Sequence, residues 1–169
     1  MSASNVHDDT RRGSPDTFRF TVDHMLLKLG KYLRIIGYDA VWDDCERTHE
    51  LIVQANAHGR IFLTRNRKLP DQYPAADRVF QVRSADPVVQ LHEVIDAFSL
   101  DPTGYLFSKC IRCNVTLQSV EDKGTIENSV HPGAFKRHDT FFTCPNCETV
   151  FYKGGHVLNT CRKLRLPKP

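Results

Sequence analysis

The chain has 169 residues, 40% of them hydrophobic and 25% charged, with a mean hydropathy of −0.41. That length suits one ordinary domain or a domain plus a small metal-bound module, and no apolar run approaches a membrane span. The formal net charge of +3 conceals an asymmetry: residues 1–104 carry 13 Lys/Arg against 15 Asp/Glu, whereas residues 105–169 carry 10 against 5. A basic C-terminal third is compatible with a polyanionic partner such as RNA.

The first 17 residues are polar and lack an apolar stretch, so no secretory signal is expected. Asp8, Asp9 and Asp16 argue against a mitochondrial transit segment, and the stretch reads as a disordered tail. "FRFTVD" (Phe18–Asp23) reads as a strand ending on an acid. "HMLLKLGKYLRIIG" follows as a helix stopped by Gly37. Leu26, Leu29, Leu33 and Ile36 form its apolar stripe, and Lys28, Lys31 and Arg34 lie at steps of three on roughly the opposite face. "DAVW" (Asp39–Trp42) is a short second strand ending in Asp43 and Asp44. Thr48 is the expected N-cap of a helix running to Gly59. "RIFLT" gives a third strand and "RVFQV" (Arg78–Val82) a fourth. "DPVVQLHEVIDAFSL" closes the unit as a helix with Pro87 in its first turn.

Short strands alternating with helices predict an α/β unit with a parallel sheet covered on both faces. Asp23, Asp43, Asp44 and the cationic run Arg65, Arg67 and Lys68 each follow a strand, so parallel pairing gathers them along one rim, where such sheets bind ligands. "DPTG" (Asp101–Gly104) marks a turn-rich boundary. The domain limits expected are 18–104 for the sheet unit, 105–157 for the second module and 158–169 for a basic C-terminal tail.

Within the second module, Cys110 and Cys113 form one C-x-x-C pair, and Cys144 and Cys147 another. Each pair makes a tight turn that aims two thiolates at one point, and two pairs complete a closed tetrahedral site suited to structural zinc. A module this small needs the metal for much of its folding energy. Cys45 and Cys161 stand alone and read as ordinary residues. His156 reads as a hydrogen-bonded or solvent-facing side chain ahead of a phosphate contact or a metal ligand.

Two or more carboxylates converging on Mg²⁺ or Mn²⁺ are what metal-dependent phosphodiester cleavage requires. Asp23, Asp43 and Asp44 are the positional candidates. Glu50 on the second helix is expected to face solvent.

The stretches "FTVDHMLLKLGKYLRIIGYDA", "RIFLTRNRKL", "QLHEVIDAF", "SKCIRCN" and "CPNCETVFYKGGH" resemble, in order and spacing, the Mut-seven C-terminal RNAse domain family. The resemblance covers residues 18 to about 157. It implies a PIN-like parallel sheet flanked by helices, followed by a small zinc-ribbon module. It also implies that Asp23 is the acid after the first strand, that the four Cys are ribbon ligands, and that Arg65 is the Arg of a T-R-D motif. Asn66 departs, standing where the family shows Asp, and Thr48 is a second expected departure from an acid. Losing negative charge from a small carboxylate set weakens divalent-cation binding, and Asn contributes a carbonyl without charge.

The expected function is therefore RNA binding on a nuclease scaffold, alone or within a ribonucleoprotein assembly, with catalysis weakened or lost because of Asn66. Lys28, Lys31, Arg34, Arg65, Arg67 and Lys68 would serve the RNA phosphates. The first alternative is an active Mg- or Mn-dependent ribonuclease using Asp23 with Asp43 or Asp44. The second is a zinc-ribbon adaptor that binds protein only. The expected setting is intracellular, cytoplasmic by default with an organelle matrix allowed, and without a membrane partner.

Overall fold

The structure, a computed structural model, describes residues 13–43, 47–74 and 76–168. Asp44, Cys45 and residues 1–12 of the expected tail lie outside the described residues.

Four strands, β1 (Arg19–Val22), β2 (Asp39–Val41), β3 (Ile61–Thr64) and β4 (Val79–Gln81), form an all-parallel sheet in the order β2-β1-β3-β4. This agrees with the expected parallel sheet flanked by helices. Alternation along each strand sorts the two faces. Phe20, Val22, Ile61 and Leu63 point into the larger core with α1 (Leu27–Ile35) and α4 (Pro87–Phe98), while Phe62 joins Leu51, Ile52 and Ala55 of α2 (Thr48–Ala57) and Leu69 of α3 (Leu69–Gln72) on the other face. Burying apolar side chains on both faces, each worth about 1.5–3 kcal/mol, explains the near-continuous apolar strands.

Local chemistry sets the helix ends. Asp86 caps α4 by accepting from the N–H groups of Val88 and Val89 at 2.7 and 3.1 Å, with Pro87 in the first helical position. The α2 start differs from the expectation. Arg47 is the capping position, Thr48 is already helical, and Glu50 reaches back to accept from the Arg47 N–H at 2.7 Å. Gly30 of α1 is packed so closely on Trp42 that a Cβ would come within 2.9 Å of its ring. Gly37 adopts φ +94° to turn the chain out of α1.

The second module is an antiparallel sheet of β5 (Gln118–Ser119), β6 (Phe141–Thr143) and β7 (Val150–Tyr152), with a 3₁₀ segment at Lys123–Ser129 and the short helix α5 (Pro132–Arg137) between β5 and β6. The stretch read as a basic tail from residue 158 runs largely as a helix, α6 (Gly155–Leu164). Val157, Cys161, Leu164 and Leu166 are buried in the same core as Phe20 and Leu91, and the Leu164 carbonyl lies 2.9 Å from Nε2 of His92 on α4. The polypeptide thus leaves the sheet unit, builds the cysteine module and returns to the first core. Gly13 is buried, its carbonyl accepting from the Tyr38 hydroxyl, which itself accepts from the Asp101 N–H at 2.9 Å. Burial pushes the Tyr38 hydroxyl up to about 12.

Candidate metal centre and carboxyl-edge rim

Sγ atoms of Cys110, Cys113, Cys144 and Cys147 all lie within 4.8 Å of one another, so four thiols are positioned to bind a metal ion. The Cys110 and Cys147 sulfurs are 3.8 Å apart. A tetrahedral zinc with bonds of about 2.3 Å places its sulfurs about 3.8 Å from each other, so the donor set fits structural zinc with no open position. Both turns are held by backbone bonds: Asn114 N–H to the Cys110 carbonyl at 2.8 Å, and Glu148 N–H to the Cys144 carbonyl at 2.9 Å. Asn114 and Glu148 sit at φ +62° and +56°, the left-handed conformation that completes each knuckle.

The thiols polarise one another. A hydrogen bond from the Thr149 hydroxyl brings Cys147 down to about 6, the Cys113 thiol bonded to Cys147 rises to about 12, and burial raises Cys110. Zinc would hold all four as thiolates.

The first knuckle is anchored on the sheet unit. Asn114 donates through Nδ2 to Asp39 at 2.6 Å, and its Oδ1 accepts from the Ala40 N–H at 3.2 Å. Arg60 makes a two-pronged contact with Asp39, both bonds 2.8 Å. Burial opposes ionisation of Asp39, yet the hydrogen bonds from Arg60 and Asn114 overcome it and hold the carboxyl below its ordinary value.

Arg34 corrects an expectation. It is only 6% exposed, donating to the carbonyls of Ala40, Ile111 and Arg112 at 2.7, 2.8 and 2.9 Å and lying 3.8 Å over the Trp42 ring. Three residues fall short of a full helical turn, so six residues after Lys28 the side chain has rotated about 120° away from it. Lys28 and Lys31 remain exposed, while Arg34 is withdrawn from any phosphate-facing surface. Burial lowers its guanidinium to about 10, against the raising effect of Asp39, so it stays charged at neutral pH.

Asp39 and Arg60 belong to the amino edge of the sheet. At the opposite, carboxyl edge, the ends of β1 and β3 meet where the strand order reverses. Asp23, following β1, is 4% exposed and accepts from the Thr64 hydroxyl at 2.5 Å. Thr64 in turn accepts from the Asn66 N–H at 3.0 Å. The Asn66 side chain is engaged at both ends: Oδ1 accepts from the Lys68 N–H at 3.0 Å, and Nδ2 donates to Gln72 on α3 at 2.9 Å. Arg65, Arg67 and Lys68 are exposed, and no ion pair or hydrogen bond engages their side chains among the described residues. Asp43 is exposed, and Glu50 is exposed as expected, its carboxylate occupied in capping α2. Among the described residues only the four cysteines form a group of three or more converging His, Cys, Asp or Glu ligand atoms.

Thr64 and Arg165 escaped the sequence reading. Register alone would have found Thr64, because Val22 pairs with Leu63 and the next positions are Asp23 and Thr64. Arg165, just after α6, lies close enough to Asp86 to favour its ionised form, as does Lys28; the main cause of that lowering is hydrogen bonding from the Val89 and Val88 N–H groups.

A three-layered parallel α/β unit carrying a four-cysteine module is the architecture expected of a ribonuclease-type domain with a zinc ribbon. The chain belongs to the Mut7-C RNAse domain family, whose sequence model matches residues 18–164. No curated protein matches the chain. None of its described helices is long and apolar enough to cross a membrane.

Proposed function

We propose that this protein binds RNA through the carboxyl-edge rim and that its capacity for metal-dependent cleavage is weakened or lost. The observation that carries this reading is the state of Asn66. The residue standing in the acid position is neutral, and both ends of its amide are engaged by Lys68 and Gln72. Asp23 is then a buried carboxylate accompanied by a hydroxyl and an amide turn. Among the described residues such a set lacks the convergent negative charge that Mg²⁺ or Mn²⁺ needs, so no step is assigned to either ion. The exposed Arg65, Arg67 and Lys68 supply phosphate contacts beside it, joined by Lys28 and Lys31. The four-cysteine site takes structural zinc.

Labelled single-stranded RNA incubated with Mn²⁺ and either wild type or Asp23→Ala tests the reading. The expected result is equal binding by both and cleavage by neither. Cleavage by wild type that Asp23→Ala abolishes would instead establish an active ribonuclease using Asp23. Absence of RNA binding by wild type would favour a protein-only adaptor.

A further inference from the structure

Around Lys153 the cysteine module carries a groove far in sequence from the rim. Two adjoining cavities, each about 420 Å³, share His138 and Lys153. One is lined by Arg137, Thr140 and Phe142 in addition; the other is bordered by Val157 and Leu158 where α6 begins. Arg137 and Lys153 are exposed and form no ion pair among the described residues. The acid in the groove, Asp139, is paired with Lys123 at 3.2 Å. His138 lies against the Tyr152 ring with centroids 4.8 Å apart and planes 31° apart.

Unpaired cations beside ring faces are the recognition chemistry of single-stranded nucleic acid. Cations track the backbone, and bases stack on rings at about 1–3 kcal/mol each. The groove is also connected to the rim. α6 starts at the groove and rises about 15 Å over its ten residues. Its end packs on α4, with the Leu164 carbonyl against His92, and Arg165 at that end and Lys28 on α1 each favour the ionised form of Asp86, which follows β4. Between the two ends, Arg162 and Lys163 are exposed.

We propose that the groove around Arg137, His138, Phe142 and Lys153 is a second binding site for single-stranded RNA, and that the exposed edge of α6 guides the strand from it to the carboxyl-edge rim. This rests on the RNA reading above and adds a site to it. It makes the cysteine module part of the binding surface as well as a structural element.

The test uses the full zinc-loaded chain, pentauridine and a longer oligouridine, with affinity measured over a series of salt concentrations. Arg137→Gln/Lys153→Gln is expected to weaken the longer RNA about tenfold and to lower the salt slope by about 1.4, the value for two phosphate contacts on a single strand. Pentauridine, with fewer phosphates to share between the two sites, should lose less affinity to this substitution than the longer RNA. Thr140→Glu, which adds a repelling carboxylate without removing a cation, should act in the same direction. Unchanged zinc content in both variants excludes misfolding as the cause. If wild type binds the longer RNA and both groove variants bind it equally well, the second site is overturned while the rim reading stands. If wild type binds no RNA at all, both fall together.

Discussion

At the amino edge of the parallel sheet, Arg60 and Arg34 are enclosed by acceptors: the Asp39 carboxylate for one, three backbone carbonyls for the other. At the carboxyl edge, Arg65, Arg67 and Lys68 stand exposed near the buried Asp23, whose carboxyl accepts from the Thr64 hydroxyl. Both edges are cationic in sequence, but only one has cations available to a ligand. Counting charges along the chain cannot separate these cases. The separation comes from the acceptors that each edge brings within reach. The amino edge holds the cysteine module in place, and the carboxyl edge leaves its cations to solvent.

The largest way to break this contrast is to remove the metal. Chelation at neutral pH, or Cys144→Ser, should forfeit binding energy of about 10 kcal/mol and unfold the cysteine module, read as rapid proteolysis that begins within it. Persistence of a protected module without zinc would contradict a folding role for the site. Asp39→Ala ranks next, with an expected loss of about 3 kcal/mol in denaturant unfolding, because it leaves the largely buried Arg60 without its carboxylate and with the Phe20 carbonyl as its remaining acceptor among the described residues. Its pH signature has a definite sign. The folded carboxyl ionises below its ordinary value, so its contribution is complete above about pH 4 and disappears as pH falls through the folded value. Wild type and Asp39→Asn should therefore converge in stability in acid, and an undiminished gap there would refute the pairing.

At the other edge, Arg65→Gln/Arg67→Gln/Lys68→Gln should leave the denaturation midpoint nearly unchanged while lowering the RNA salt slope by about 2. A large stability loss would mean that these cations are structural, like those of the amino edge. The smallest effect is expected beneath the rim. The Thr21 hydroxyl is buried and has no hydrogen-bond partner among the described residues, so Thr21→Val should be neutral or stabilise by up to about 1 kcal/mol in thermal unfolding.

Much of the sheet unit was legible because its signals are local and redundant. Apolar runs mark β1 and β3, the Leu26–Ile36 stripe marks α1, and Asp86–Pro87 marks the start of α4. The cysteine site was legible from spacing, since two tight turns leave the thiols few places to go. Arg34 was misplaced because a three-residue step looks like one face over one turn and drifts over two. α6 was obscured by composition: Val157, Cys161 and Leu164 have helical spacing, but they sit among cations that read as a solvated tail. The state of Asn66 depends on Gln72, a partner on a single-turn helix that the sequence barely announces. Its consequence for the rim is therefore tertiary information.

The return of α6 to the first core places the cysteine module between two segments that share one hydrophobic cluster. Metal loading and core closure are then reciprocally linked: whatever tightens one must tighten the other by the same free energy. A cavity-forming change at Leu164, remote in sequence from the nearest cysteine ligand, should make the protein a poorer zinc chelator. A cell short of zinc would in turn see the sheet unit itself become easier to unfold.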